Sequence, residues 1–574
     1  MNNLKNQKKI KFGIMCSNTV FPIWRALTIE KLLSSENIEL SLIIINGNPS
    51  SSKNRDSIVK NIFSRLFLNK YLLLNLYNRI SVNNISTVQL IDISESFSDI
   101  PTIICKTKKR GKFSEYFYEK DLDVISKHNL DFILRFGFGI IRGDILKVPK
   151  YGVWSFHHGD EKKYRGQPSC FWEIYNNELT TGAILQRLTN KLDGGVILKK
   201  GIYRTINHSL GKNKEQIYSD CVSWPLLVCN DIKNGAADYI FDTPSETNSP
   251  IFFKPNNWQS FIFILKIIKN KYLLFLSIMS RSDWNIGIIE KPIEYFLTQN
   301  ESPKINWLKR TNDRFIADPF IYKNNGKKYI IYEEKYYSNQ NAHISIAELG
   351  DNYELKKPKI IIKEKHHLSY PFIFENEGKI YCIPESAEAN SINLYSAYSF
   401  PEKWKKVGTL LSDVSARDST LVHYNGLWWL FFTQGKKTSS LHLCIFYSSK
   451  LNGPYKPHTS NPVKTDIRSA RPAGPLFKYK NCLYRPAQNC SKTSGGSITL
   501  NKIIRLTPNH FSEKIINMIN PELNHPYTKG IHTISGSDQI TVVDGKRIKM
   551  NIFRGLRKTF KYFTNSFSQL IKKL

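Results

Sequence analysis

The chain opens on short apolar runs separated by stretches of helical pattern. Ile10 to Ser17 (IKFGIMCS) is a continuous apolar run of the length expected for a buried parallel strand. Phe21 to Leu33 reads as a helix and Ile38 to Ile45 as a second strand. This β-α-β order opens an α/β sheet. Asn54 to Ser81 is helical, apolar and basic, and is expected as an insertion in the sheet domain. Further on, the pattern predicts a helix over Phe117 to His128, strands over Asp131 to Gly137 and Gly152 to Phe156, and a closing helix over Lys212 to Asn234.

From about Lys304 the texture changes to strand, polar turn, strand: PFIYKNNGKKYIIYEE, YPFIFENEGKIYCIPE, STLVHYNGLWWLFFT and GPLFKYKNCLYRPA. The units start near Asp318, Tyr370, Asp418 and Ala473, roughly fifty residues apart, the length of a four-stranded propeller blade. Five blades are expected, with a β-sandwich as the alternative. Ser260 to Met279 is the most apolar window, but Lys266, Lys269 and Lys271 sit in its middle. Charge at a bilayer centre costs about 2.5 kcal/mol or more per residue, so an interfacial or interdomain helix is expected there, not a spanning one. In the tail, Phe553, Leu556, Phe560, Phe563, Phe567, Leu570 and Leu574 share one helical face, with Arg554, Arg557, Lys558 and Lys561 off it. That is the pattern either of a helix on anionic membrane or of one docked on the protein's own surface. The predicted plan is an α/β domain over 9–235, a linker with an amphipathic helix over 236–303, a propeller over 304–550 and a basic helical tail over 551–574.

At 574 residues the chain exceeds one core. Lysine and arginine number 82 against 48 acids, a net charge of +34. Such a field favours anionic partners, although abundant Lys, Asn and Ile together also reflect biased genome composition. Nine scattered cysteines without a C-x-x-C pair argue against zinc ribbons and for a reduced cytosolic compartment. No metal site is expected. The basic N-terminus runs straight into a strand pattern and does not read as a signal peptide.

The chemistry concentrates in Gly152 to Leu198, where Ser155, His157, Tyr164-Arg165-Gly166, Trp172, Asn177-Glu178, Thr181-Gly182 and Asp193-Gly194-Gly195 follow in order. A histidine near neutral pH can accept a proton or stabilise an oxyanion, and a carboxylate beside it raises its basicity. This stretch resembles the formyltransferase family, which includes methionyl-tRNA, glycinamide ribonucleotide and amino-sugar formyltransferases. The resemblance covers about the first 235 residues and implies an α/β formyltransferase (Rossmann-like) domain. It further implies His157 and Asp193 as catalytic, with 10-formyltetrahydrofolate as donor against the loop Phe136, Gly137, Phe138, Gly139 and Ile140. One departure matters: the family's asparagine is Ser155 here. Ser155 substitutes with shifted geometry, or His158 or a backbone N–H supplies the missing donor, or formyl transfer has been lost.

The second half resembles the five-bladed propeller found N-terminal to the glycosyltransferase of glucosamine inositolphosphorylceramide transferases. More distantly, it is similar to glycoside hydrolase propellers. Asp318, Glu385 and Asp418 are expected to converge on its axis as a carboxylate cluster, with Arg417, Arg471 and Arg485 as cationic donors. Glycan binding, glycosyl processing and a scaffold role remain open for it. Together these features imply a formyltransferase acting on an amino sugar of a surface polysaccharide or glycolipid. Such an enzyme would be cytoplasmic or peripheral on the inner membrane face, with a folate and a glycan as its partners. The alternatives are a catalytically altered formyltransferase-like protein with a glycan-binding propeller, and a methionyl-tRNA formyltransferase-like enzyme. No recognisable RNA module follows the catalytic domain, so a nucleic-acid partner is not expected.

Overall fold

The computed structural model describes residues 8–48, 69–111, 114–191, 194–298, 303–435, 438–521 and 525–551. They fall into two compact units, Met1–Lys271 and Tyr272–Leu574.

The first unit is built on one twisted sheet. Its strands are β1 (Ile10–Cys16), β2 (Ile38–Asn46), β3 (Thr102–Cys105), β4 (Phe132–Arg135), β5 (Val153–His157), β6 (Thr180–Arg187) and β7 (Val196–Arg204). The order β3-β2-β1-β4-β5 is all parallel, and β6 and β7 add antiparallel at the edge. This is the doubly wound Rossmann order, in which the chain reverses direction across the sheet between β1 and β4. The central strands are apolar without alternation because both faces are covered. Phe132 stacks between Phe12 at 5.4 Å and Trp154 at 3.8 Å. Helix α1 (Ile23–Leu33) buries Trp24, Ile29 and Leu32 on one side.

Of the expected insertion helix, only Leu72–Ser81 lies within the described residues. The stretch expected as a linker, 236–303, is instead built into both units. Ile251–Phe252 pairs with Arg165–Gly166, and Phe263 of the helix Asn257–Ile278 stacks on Phe171 at 4.2 Å. Strand Ser280–Ile289 already belongs to the propeller sheets. The sequence pattern missed this because the strand's partner, Ile540–Met550, lies at the far end of the chain. Among the described residues no helix is long and apolar enough to cross a membrane. The tail helix expected from Phe553 lies outside the described residues.

The second unit is a five-bladed propeller. Four blades begin at the strands Arg314–Asn324, Ser369–Asn376, Ala416–Tyr424 and Phe477–Tyr479, the spacing expected from the repeats. The remaining blade closes the ring by pairing Ser280–Ile289 and Asn306–Trp307 with Ile534–Ser537 and Ile540–Met550. In three blades the first strand breaks register at the same place, at Asp318-Pro319, Tyr370-Pro371 and Asp418-Ser419. Asp318, Tyr370 and Asp418 take positive φ there, 49°, 44° and 53°. Each bulge turns polar groups to a neighbouring blade. Asp318 N–H donates to Asp544 (3.0 Å), Tyr370 N–H donates to Asp318 (3.1 Å), and the Tyr370 and Thr420 hydroxyls meet at 2.8 Å.

Closure is also electrostatic. Asp283, fully buried on the first strand, accepts from Arg310 (2.5 Å), Arg547 (2.7 Å), Lys549 (3.1 Å) and the Tyr337 hydroxyl. Burial alone would raise its pKa; the Tyr337, Arg547 and Arg310 contacts outweigh burial and hold it at about 2. A depressed carboxylate gives stability above its unfolded pKa and loses it as pH falls through the folded one. Asp283→Asn is therefore expected to cost about 3–5 kcal/mol in urea unfolding at pH 7, because three cations lose their counter-charge. It is also expected to flatten the loss of stability between about pH 4 and pH 2.

Candidate functional site

In doubly wound sheets, ligands bind outside the carboxyl ends of the strands where the order reverses. Here β1, β4 and β5 end at Cys16, Arg135 and His157, and a cavity of about 440 Å³ lies there. A second cavity of about 280 Å³ shares Arg135, Ser155, His157 and Gln167 with the first. Ser155 is buried, and its hydroxyl accepts from Arg135 Nη2 at 3.1 Å. His157 donates Nε2–H to Tyr164 O at 2.9 Å, which leaves Nδ1 as the nitrogen with a lone pair. His158 lines the same cavity as His157, packed against Trp24 and Tyr218. Its burial, with His157 beside it, holds its pKa down at about 3, so it is neutral. Asp193 lies outside the described residues.

The remaining residues of the recognised stretch hold the loop together. Tyr164 OH donates to Glu178 at 3.2 Å and accepts from Asn176 at 3.1 Å, while Trp172 Nε1–H donates to Gln167 O at 3.3 Å. Asp160 pairs with Lys200 at 3.0 Å. In the loop expected to take a folate ring, Phe136 and Phe138 line the larger cavity and Ile140 the smaller. Gly137 and Gly139 do not leave an open cradle. A Cβ at Gly137 would come within 2.6 Å of the Cys16 backbone, and one at Gly139 within 2.7 Å of Glu115. No asparagine amide stands here, and the Ser155 hydroxyl that takes its place accepts from Arg135.

In the propeller, the bulges bring Asp318 and Asp418 near Glu385, so that the Asp418 charge acts on both of the other carboxyls. Asp418 accepts from Arg471 Nε (2.6 Å) and Nη2 (3.1 Å) and from Gln488 Nε2 (2.5 Å). Burial would raise Asp418; the Arg471 charge and hydrogen bond outweigh it and keep the carboxyl ionised. Glu385 contacts Arg417 and lies 3.7 Å from Arg471. Burial, then the Asp418 charge, push it up to about 8, so at neutral pH it keeps its proton. Burial also raises Glu333 well above its ordinary value, next to Asp318 and Glu385. Arg485 is not at the axis: it is fully buried within its blade on Glu513 (2.6 and 2.9 Å) and the Ser469 carbonyl.

Sequence reasoning missed His532, Asp544 and Gln488. His532 stacks on Trp284 at 3.9 Å, pairs with Asp544 through Nδ1 and approaches Asp318 through Nε2 at 3.5 Å. The three offer ligand atoms within 4.8 Å of one another, but the imidazole gives one nitrogen to each carboxylate, the arrangement of a hydrogen-bonded string. His532 and Asp544 come from the ring-closing strands, where no repeat marks them. Arg135 was missed as well, although it is the one charged residue of the apolar strand Phe132–Arg135.

A Rossmann-type unit followed by a five-bladed propeller with a carboxylate–guanidinium axis is the class of protein the fold defines. Residues 307–549 match the family model described as glucosamine inositolphosphorylceramide transferase 1, N-terminal. The rice (Oryza sativa subsp. japonica) glucosamine inositolphosphorylceramide transferase 1 is 37% identical over 212 residues, 36% of this chain and 28% of that relative. The chain therefore matches little more than a quarter of that protein's length. Methionyl-tRNA formyltransferase of Prochlorococcus marinus is 32% identical over 101 residues, 17% of this chain and 29% of its own. The family 117 glycoside hydrolase Zg3597 of Zobellia galactanivorans covers 42% of this chain and 86% of its own, at 14% identity and a TM-score of 0.31.

These findings overturn the reading of the chain as an N-formyltransferase. The family matched and the relative with the longer match are glucosamine inositolphosphorylceramide transferases, and the formyltransferase likeness is partial.

The Glu385–Asp418 pair has a measurable consequence. Glu385 holds a proton in the folded chain that the unfolded chain releases near its ordinary 4.5, so its contribution to stability falls as pH rises from about 4.5 to about 8. Glu385→Gln is expected to remove that decline, at most about 1.4 kcal/mol per pH unit, when urea midpoints at pH 5 and pH 8 are compared.

Proposed function

We propose that this chain is a glycoconjugate-directed transferase component whose propeller holds the sugar-bearing substrate at its axis. The observation that carries this reading is the clamp of Asp418 by Arg471, with charged side chains left partly open around it. Arg417, Arg471 and His532 keep 29%, 16% and 14% of their side-chain surface, while Asp418 and Glu385 keep 2% each. Sugar hydroxyls both donate and accept, so buried carboxylates with guanidinium neighbours suit them on both counts. The clamp lies inside the segment that matches the family model, and the relatives are named for glucosamine and inositolphosphorylceramide.

Binding is favoured over turnover within the propeller. A glycosidase needs one carboxyl as acid and a second as free base or nucleophile. Glu385 has the protonation state of an acid, but both oxygens of Asp418 are occupied by Arg471 and Gln488.

The test is isothermal titration of the full chain with glucosamine, N-acetylglucosamine and inositol. Saturable binding of at least one is expected, weakened about tenfold by Arg417→Gln through loss of a charge-assisted hydrogen bond. No binding of any of the three, or binding indifferent to both Arg417→Gln and His532→Gln, removes this reading.

A further inference from the structure

The cavity of the α/β unit has an electrostatic character that the propeller reading does not use. Two guanidinium groups face it, Arg25 from the start of α1 and Arg135 from the end of β4. Among the described residues neither has a carboxylate within ion-pair distance. Arg25 donates Nη1–H to Phe136 O (3.0 Å) and lies over the Trp24 and Phe136 rings. Arg135 donates to Gly139 O (2.7 Å), Phe138 O (3.3 Å) and Ser155 Oγ (3.1 Å). The Nε–H of each is buried without a partner, and so is His158 Nε2. Glu115, the acid whose charge reaches Arg135, is engaged by Gly139 N–H and the Thr107 hydroxyl.

Three other buried arginines among the described residues do have acids: Arg471 pairs with Asp418, Arg485 with Glu513 and Arg310 with Asp283. Burying a cation without a counter-charge is costly. Burial lowers the pKa of both Arg25 and Arg135, and the charge of Arg25 lowers Arg135 further. The arrangement is therefore short of negative charge at the place where a doubly wound sheet binds its ligand.

From this geometry we infer that the α/β cavity is a binding site for a phosphoryl dianion carried on a small organic molecule, gripped by Arg25 and Arg135. A phosphate dianion matches two guanidinium charges where a carboxylate matches one, and planar guanidinium forks suit its oxygens. His157 and Gln167 line the same space. Trp24, Phe156 and Tyr218 wall it with aromatic surface, which suits a ring attached to the phosphate. The cavity, about 440 Å³, has room for a sugar phosphate or nucleoside monophosphate.

The test is titration of the full chain with inorganic phosphate, glucose 1-phosphate and uridine monophosphate at low ionic strength, read by calorimetry and by the shift in thermal midpoint. Inorganic phosphate and at least one of the esters are expected to bind at one site per chain. Arg25→Gln and Arg135→Gln should each weaken binding about tenfold or more, and the exposed Lys323→Gln should not. Because each of the two substitutions removes an unpaired buried charge, the ligand-free midpoint should not fall. If Arg135→Gln does not fold, Arg25→Gln and Arg135→Lys carry the comparison, the latter keeping the charge but losing the fork. Three results would overturn the inference: no binding at about 10 mM phosphate, binding that neither arginine affects, or acetate competing as well as phosphate does.

Discussion

The propeller depends on how five blades bring acids to one axis without forcing them apart. Arg471 is the group that allows it. Its guanidinium clamps Asp418 through two hydrogen bonds, and Glu385 accommodates the remaining excess of negative charge by keeping its proton. The bulged first strands pass hydrogen bonds from blade to blade, from Asp544 to Asp318 and on to Tyr370 and Thr420. Axis and closure are thus one polar network. The strand that carries Asp544 also carries Arg547 and Lys549, which fasten Asp283 on the first strand of the ring.

The two units solve opposite problems. At the propeller axis, acids outnumber the space available for charge, and cations and the proton kept by Glu385 balance them. In the α/β cavity, two cations lie with no carboxylate within ion-pair distance among the described residues. The first is a self-contained polar centre with a partly open mouth. The second is left incomplete by the protein's own groups.

Legibility in the sequence followed how local each signal was. The Rossmann order was readable because IKFGIMCS and IELSLIII are runs whose burial on both faces needs no distant information. The blades were readable because Asp318, Tyr370 and Asp418 recur at near-equal spacing, and the structure gives each the same bulge. What failed was long-range. Ser280–Ile289 has no hairpin partner nearby, so it read as linker, and His532 and Asp544 enter from the ring-closing strands. Arg485 looked equivalent to Arg471, but it points into its own blade and pairs with Glu513 on the outermost strand. The motif around His157 was real as a pattern, but much of it packs a loop: Tyr164, Asn176 and Glu178 bond one another.

A crystal structure of the full chain soaked with glucosamine tests the sugar-holding axis most directly. Sugar density resting on Arg417 and Arg471, with a hydroxyl or the amine directed at the Glu385–Asp418 pair, is the predicted result. An axis that stays empty while sugar occupies the cavity beside His157 would contradict it.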